Sequence, residues 1–290
     1  NSSWLDRPLG IAGRILTNEN NVIKSHLVDL GAICVIPNLA IHQNRTINDG
    51  YKYNPATDLR PIYADNLDEE GLLKYASKDL SGEVLGYELS LYNANRGMLL
   101  GKNKEFIVAP QIDNLESAYL TLLGFIGANN NQSINIYASF DNEEVGSGTA
   151  QGALSNFLGD VIDRIFDSLS LSNEERKCAI AKSFLVSCDN AHAIHPNNPS
   201  ICDNDNGAVL NGGIVIKTNA NQLYTTDAVS MAVFKSILNE ANVKYQVFAN
   251  RSDQRGGSTL GHLAVQKVTI SSIDIGLPQL AMHASMEAAG

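Results

Sequence analysis

Beyond residue 98 the sequence alternates between short apolar runs and longer amphipathic segments, and this alternation constrains the fold more than any other feature. Strand-like runs occur at residues 105–109, 134–140, 183–187, 213–217, 245–249 and 268–275, and helical periodicity occurs at 115–126, 150–169 and 227–240. Regular alternation of strands and helices is typical of helices packed on a mostly parallel or mixed sheet. The sequence therefore predicts an α/β layered domain over residues 98–290.

Residues 1–97 have a different texture, and we interpret them as a separate, β-rich domain. Apolar or alternating runs occur at 10–16, 32–37 and 87–92, and Asn or Gly breaks them. Residues 44–60 are polar and rich in turn formers. A chain of 290 residues is long enough for two such domains. The amino end has no Met and reads like the middle of a domain, so we expect it to be incomplete.

Composition argues against several classes of function. The net charge is −10, whereas nucleic-acid binding needs clustered Lys and Arg, so no nucleic-acid partner is expected. The sequence has no run of 18 apolar residues, so no membrane span is expected. The four cysteines lack CxxC spacing, which disfavours a zinc–thiolate site. Disulfides are also disfavoured in a chain of this size, and reduced thiols in the cytoplasm are expected.

Acidic and imidazole side chains follow four of the predicted strands. Asp113 follows the run at 105–109, Glu143 and Glu144 follow 134–140, Asp189 follows 183–187, and His283 comes after 268–275. Ligands collect at the carboxyl ends of strands in open α/β sheets. Carboxylate oxygens and imidazole nitrogens are zinc-type ligands. Together these residues offer enough ligands for two metal ions if one carboxylate bridges them, although a symmetric pair needs one more nitrogen ligand.

Each of these residues also has a purely structural interpretation. Asp113 is well placed to cap a helix, and adjacent glutamates are typical of a polar first helical turn. Asp189 is a turn former, and a lone His283 is often buried and hydrogen-bonded. The joint pattern favours the metal-site hypothesis. In metal-assisted hydrolysis, one glutamate of the 143–144 pair would bind metal while its neighbour handles a proton.

Six motifs, spread over essentially the whole chain, carry a family resemblance. They are Trp4-Leu5-Asp6-Arg7-Pro8-Leu9-Gly10, Pro37-Asn38-Leu39-Ala40-Ile41-His42, Gln111-Ile112-Asp113-Asn114-Leu115, Asp141-Asn142-Glu143-Glu144-Val145-Gly146, Asp189-Asn190-Ala191-His192-Ala193-Ile194-His195-Pro196-Asn197 and Pro278-Gln279-Leu280-Ala281-Met282-His283. Through them the chain resembles the M18 family of zinc aminopeptidases, the aspartyl aminopeptidase group. The resemblance implies a three-layer α/β/α metallopeptidase (phosphorylase/hydrolase-like) domain over residues 98–290. It also implies an inserted β-rich dimerisation domain over residues 1–97.

The resemblance implies a role for each metal-site candidate. Asp113 corresponds to the aspartate that bridges two zinc ions, Glu144 and His283 to ligands of one zinc, and Asp189 to a ligand of the other. Glu143 corresponds to the general base. The family's amino-terminal His-x-Asp motif, which supplies a further ligand, does not occur in this sequence. Two zinc ions per subunit are implied, with cobalt or manganese as alternatives because metal availability also decides which ion is bound.

The resemblance also indicates residues that contact the substrate. His192 and Lys217 match positions that line the family's substrate pocket, and Gly257 and Ser258 resemble a loop of backbone donors near it. His42 matches a histidine that reaches the active site of a partner subunit. From the residues alone, His42 is interpreted as a surface histidine, and His192 either binds metal together with His195 or has a surface role. Lys217 is equally compatible with a solvated strand-end charge, and the glycine loop is also compatible with a helix start.

The assembly and activity that the resemblance implies are specific. Family members form dimer-based tetrahedral dodecamers that enclose their active sites, so the expected substrates are short peptides, with acidic amino-terminal residues preferred. Two alternatives stay open from the residues alone. One is a related dinuclear peptidase or deacylase with another specificity, and the other is a non-catalytic, shell-forming homologue.

Overall fold

The computed structural model describes residues 2–65 and 71–290, and the chain divides into two compact units. The first unit comprises Asn1–Met98 with the short segments Val108–Pro110 and His283–Met286. The second comprises Leu99–Ile107, Gln111–Met282 and Glu287–Gly290. The role of residues 1–97 as an inserted dimerisation domain stays a prediction.

Strands and helices of the described residues are numbered in chain order. The strands are β1 (Leu9–Glu19), β2 (Val22–Cys34), β3 (Glu83–Asn93), β4 (Met98–Leu100), β5 (Phe106–Ala109), β6 (Phe184–Cys188), β7 (Ala191–His192), β8 (Ile214–Thr218), β9 (Tyr245–Ala249), β10 (Ser271–Gly276), β11 (Pro278–Leu280) and β12 (Glu287–Ala289). The helices are α1 (Pro55–Asp58), α2 (Gly71–Ser77), α3 (Ile112–Gly127), α4 (Phe157–Ser168), α5 (Asn173–Ala181), α6 (Ala228–Glu240) and α7 (Leu260–Ala264).

An antiparallel sheet with the strand order β2-β1-β3 forms the framework of the first unit. The tight turn between β1 and β2 consists of Asn20 and Asn21, whose φ angles are +53° and +66°. Two residues with positive φ suit the twist of a hairpin, and Asn tolerates them. Leu9, Ile11 and Ile15 alternate along β1 and are all buried, as expected for a strand covered on one face. The β-rich character predicted for the first part of the chain is confirmed.

A mixed four-stranded sheet with the order β6-β10-β8-β9 forms the framework of the second unit. Strand β10 runs parallel to β6 and antiparallel to β8, and β8 runs parallel to β9. Ile216 of β8 and Ile273 of β10 are 0% exposed and pack with Phe234 and Leu238 of α6. The predicted α/β layering with a mixed sheet is therefore confirmed.

A further sheet has the order β4-β5-β12-β11-β7. Of its strands, only β5 falls within a predicted run. The others contain two or three residues each, which is too short for an alternating pattern to be recognised. The run at 268–275 also differs from the prediction, because β10 begins at Ser271 and a separate strand, β11, follows it.

Two helices of the second unit begin with reciprocal capping boxes. In α5 the Ser172 hydroxyl accepts from the backbone N–H of Glu175, and the Glu175 carboxylate accepts from the N–H of Ser172. Asp227 and Ser230 form the same arrangement at the start of α6. These side chains satisfy backbone donors that a helix leaves unpaired at its first turn. No helix within residues 2–65 or 71–290 is both long and apolar enough to cross a bilayer.

The strand predicted at residues 134–140 is wrong. These residues belong to no strand of the described structure. They line a cavity of about 820 Å³ together with residues of the edge strand β6. A strand is stabilised by hydrogen bonds to a neighbouring backbone. Residues 134–140 and the edge strand β6 both line the cavity, and they are not paired as strands.

The helix predicted at residues 150–169 starts later, at Phe157. Backbone groups before it are bonded to the preceding loop. The N–H of Asp141 donates to the carbonyl of Gln151 at 3.1 Å, and the N–H of Leu154 donates to the carbonyl of Ser147 at 3.3 Å. Because these groups are engaged outside a helix, residues 150–156 form turns.

Candidate metal centre

Asp113 lies in the first turn of α3, a few residues after β5. The chain changes direction at Gln111, whose φ is +59°. The backbone N–H of Asp113 donates to Glu287 Oε2 at 2.8 Å. The end of β5 thus delivers a half-buried carboxylate, as the strand-end argument predicts.

Glu143 and Glu144 lie in a one-turn 3-10 helix, Glu143–Val145. The residues on either side, Asn142 and Gly146, have positive φ angles of 61° and 99°. The N–H of Gly146 closes the turn on the carbonyl of Glu143 at 2.8 Å. A φ of 99° suits glycine because a Cβ is strained there. The Glu-Glu-x-Gly sequence is therefore explained by a tight turn, in agreement with the polar-turn interpretation of the pair.

His283 completes a cluster with two of these carboxylates. It lies in the connection between β11 and β12, which pair through Gln279 and Ala289, so this hairpin determines the path of the connection. One potential ligand atom from each of Asp113, Glu144 and His283 lies within 4.8 Å of the other two. Two carboxylate oxygens and an imidazole nitrogen are ligands that zinc binds.

Asp189 follows β6 and lies beside Asp113. Its backbone N–H donates to the carbonyl of Ile275 on β10 at 2.9 Å. Its carboxylate accepts a hydrogen bond from Lys217 Nζ at 3.3 Å. The same carboxylate also acts on the ionisation of Asp113 through charge and hydrogen bonding. The structure therefore places Asp113, Glu144, Asp189 and His283 in one neighbourhood.

The carboxylates destabilise one another's charge. Burial, as the largest cause, together with the charges of Asp189, Glu144 and Glu287 raises the pKa of Asp113 to about 8. Like charges around a half-buried carboxyl disfavour its ionised form. A divalent cation bound among them would reverse this effect, because metal ligands bind in their deprotonated form. The donor types and their summed charge therefore fit a divalent metal.

Glu287 is a residue of this neighbourhood that the sequence analysis did not single out. Its side chain is 2% exposed, and it accepts the hydrogen bond from the N–H of Asp113. Burying a charged side chain costs free energy unless it is paired or hydrogen-bonded, so a buried carboxylate usually has a specific partner. The available sequence signal is a single acid within the small and apolar residues 284–289.

The cavity of about 820 Å³ opens onto the acidic residues. Asp113, Glu143 and Glu144 line it together with apolar side chains of residues 134–140, of α4 and of β6. Its volume is within the range of small-molecule sites, which are mostly apolar with a few convergent polar groups. The acidic groups thus border a space large enough for an organic ligand.

The two residues predicted to line the substrate pocket, Lys217 and His192, differ in their exposure. Lys217 is 2% exposed; its Nζ donates to the carbonyl of Asn190 at 3.0 Å and lies 5.3 Å from the centre of the Tyr224 ring. This location excludes the interpretation of Lys217 as a solvated charge. His192 has an exposed side chain in β7, opposite Gln279 of β11.

Gly257 and Ser258 are exposed in the loop that leads into α7, and His42 lies in an exposed turn at residues 41–43 of the first unit. Thr259, the N-cap residue of α7, directly follows Ser258, so the interpretation of this loop as a helix start is correct. The proposed contacts of Gly257, Ser258 and His42 with the substrate stay predictions.

Comparison with known proteins identifies the family. A family model described as aminopeptidase I zinc metalloprotease (M18) matches residues 1–290. The chain belongs to the M18 family. The resemblance carried by the six motifs is therefore confirmed.

Curated M18 relatives are similar along the whole chain. A probable M18 family aminopeptidase 2 of Clostridium novyi is 42% identical, and the match covers 100% of this chain and 69% of that protein. The protein of the same name in Clostridium acetobutylicum is 40% identical with the same coverage.

Solved structures confirm the α/β fold. A chain in the cryo-EM structure of the Ape4 and Nbr1 complex matches with a TM-score of 0.90 and 33% identity, covering 99% of this chain and 61% of that one. The crystal structure of prApe1 matches with a TM-score of 0.89 and 27% identity. The S. cerevesiae mApe1 dodecamer matches with a TM-score of 0.79 and 27% identity. The chain thus spans 61% of the first of these proteins and 67% of the other two.

Proposed function

We propose that this chain carries the metal centre of a zinc aminopeptidase that removes amino-terminal residues from short peptides. The observation that carries the proposal is the convergence of Asp113, Glu144 and His283 within 4.8 Å in a chain of the M18 family. A non-catalytic homologue would not need these ligand types to converge, so that alternative is not favoured.

The proposal assigns two zinc ions to each subunit. Asp113 would bridge them, Glu144 and His283 would hold one, and Asp189 would hold the other. Bound zinc lowers the pKa of a water molecule and polarises the carbonyl of the scissile bond. The proximity of the Asp189 and Asp113 carboxyl groups supports a shared site. Cobalt or manganese is compatible with the same ligands.

Glu143 is proposed to handle the proton. It precedes Glu144 in the same 3-10 turn and lines the same cavity as Asp113. Its carboxylate would take a proton from the attacking water and pass it to the leaving amine. His42 of another subunit would donate a hydrogen bond to the oxyanion that develops on the substrate.

Metal analysis and one isosteric variant test this assignment. We expect purified protein to contain about two zinc ions per subunit, and Glu143→Gln to lose turnover while keeping its zinc. The matched control is Glu174→Gln, which changes an exposed glutamate of α5 and should keep full activity. Turnover by Glu143→Gln at the rate of the control would refute the role of Glu143. Protein without stoichiometric zinc would refute the metal centre itself.

A preference for Asp or Glu at the amino terminus of the substrate is the least direct part of the proposal. Its support is Lys217, a buried cation beside the metal-site candidates. An acidic substrate side chain would compete with Asp189 for the Lys217 ammonium. We expect Lys217→Met to lose most of its activity on Asp- and Glu-initiated peptides and less on Leu-initiated ones. Equal losses on all peptides would remove Lys217 from substrate selection.

We also propose that the protein assembles into a dimer-based tetrahedral dodecamer in the cytoplasm. One solved structure similar to this chain is described as a dodecamer. Ile23 and Leu27 of β2 are 67% and 88% exposed, and exposed apolar side chains of this kind often mark a contact between proteins. Sedimentation analysis should show a twelve-subunit species, and a purely monomeric protein would refute the assembly.

A further inference from the structure

A buried amide, Asn190, connects three segments of the second unit. Asn190 is 3% exposed and lies between β6 and β7. Its Oδ1 accepts a hydrogen bond from Ser117 Oγ of α3 at 2.8 Å. Its Nδ2 donates to Gln279 Oε1 of β11 at 2.7 Å and to the carbonyl of Ile112 at 3.2 Å. One side chain thus joins the start of α3, the strand β11 and the loop that follows β6.

Each of these segments carries or leads to a metal-site candidate. Ile112 directly precedes Asp113, and Asn190 directly follows Asp189. Strand β11, which contains Gln279, leads into the connection that carries His283. The partners of Asn190 lie 73 to 89 residues away in the sequence. Its hydrogen bonds therefore hold together segments that are not neighbours along the chain.

Two side-chain partners of Asn190 are even more buried than Asn190 itself. Ser117 and Gln279 are each 1% exposed, so water cannot replace a lost hydrogen bond without a rearrangement. A buried polar group that loses its partner carries its full desolvation penalty. Partly satisfied buried networks are correspondingly unfavourable. Loss of the amide would therefore favour a shift of α3 or of the Asp189 loop.

We propose that Asn190 is a positioning residue of the metal centre. Its side-chain amide fixes the backbone segments that carry Asp113 and Asp189 relative to each other, and it acts through these segments rather than as a ligand. This inference rests on the proposed function, because it concerns the same metal centre. Groups that orient metal ligands typically affect metal affinity by about 10- to 100-fold.

Zinc affinity and stability, measured on the same variants, test the proposal. Asn190→Leu keeps the approximate size of the side chain and removes the amide. The matched control is Thr17→Val, which removes a 0% exposed hydroxyl bonded to His26 Nε2 at 2.9 Å in the first unit. Zinc dissociation constants come from competition with a chelator, and thermal midpoints come from the metal-free proteins. Both variants should melt earlier than the unmodified chain, but only Asn190→Leu should bind zinc about 10- to 100-fold more weakly.

A second variant, Ser117→Ala, decides the matter if Asn190→Leu does not fold. It removes one of the amide's partners and should weaken zinc binding by about threefold or more, a smaller loss than for the amide itself. Zinc binding within twofold of the unmodified chain, in whichever of the two variants folds, would overturn the inference. If the unmodified chain itself binds no zinc, the proposed function fails instead, and the two failures are distinguishable.

Discussion

Replacing Lys217 with Met tests how charge is balanced beside the proposed metal centre. The Lys217 side chain is 2% exposed and that of Asp189 is 16% exposed. The Lys217 ammonium donates to Asp189 Oδ2 at 3.3 Å and to the carbonyl of Asn190 at 3.0 Å. Met keeps a long apolar side chain but removes both hydrogen bonds. Asp189 is then left with a negative charge and without this cation.

The structure sets the expected magnitude. Removing one partner of a buried ion pair costs about 3–5 kcal/mol. The distance of 3.3 Å between Lys217 Nζ and Asp189 Oδ2 exceeds the usual value of about 2.8 Å for a charged pair, and Asp189 keeps some contact with solvent. We therefore expect the free energy of unfolding of the metal-free protein to fall by about 3 kcal/mol. Saturating zinc should reduce this loss, because a cation bound at Asp189 replaces the missing positive charge.

The assay is urea unfolding followed by circular dichroism, with a chelator and then with saturating zinc. The control is Arg14→Met, which breaks a surface pair with Glu88 whose side chains are 49% and 71% exposed. Exposed pairs contribute only about 0–1 kcal/mol, and zinc should not change this loss. The reasoning is refuted if Lys217→Met is no more destabilising than the control, or if zinc leaves its loss unchanged.

Three further predictions concern pH, a helix start and the core. The pKa of Asp113 is raised to about 8 and an unfolded Asp titrates near 4, so metal-free protein should lose stability as pH rises from about 4 to 8. Zinc affinity should rise from pH 6 to 8 because the metal displaces that proton; a flat dependence in zinc titrations would contradict this account. Ser172→Ala removes the α5 capping box and should cost about 1 kcal/mol in urea unfolding, whereas Ser172→Asp should keep most of it. Ile273→Ala opens a cavity at a 0% exposed position and should cost about 2–5 kcal/mol; a loss below that of Ile273→Val would argue against the packing described here.

Sequence periodicity predicted the elements that are long or strongly patterned. The strand β9 and the helix α6 agree closely with the predicted ranges, because the helix is long and the strand is a compact apolar run between polar residues. The strands β7, β11 and β12 have too few residues for any pattern. The run at 134–140 has a good strand composition but is unpaired among the described residues. Pairing is a tertiary property that composition does not report.

The metal-ligand candidates were chosen from residue types at predicted strand ends, and their assigned roles stay predictions. Asp113, Glu144 and His283 converge although the run before Glu144 is not a strand. The tight turn that ends at Gly146, and not a strand end, positions the Glu144 side chain. The sequence analysis did not identify Glu287 or Asn190 as site residues, because their roles come from contacts between residues far apart in the sequence. Glu287, for example, is 174 positions from Asp113.

The central claim is that Asp113, Glu144 and His283 hold a metal ion, with Asp189 beside them. Anomalous diffraction at the zinc absorption edge, from crystals grown with zinc, tests it most directly. The account predicts a strong peak within bonding distance of the carboxylates of Asp113 and Glu144 and the imidazole of His283, about 2.0–2.2 Å from each ligand atom. A difference map without a peak among these side chains, or with zinc bound only elsewhere, would contradict it.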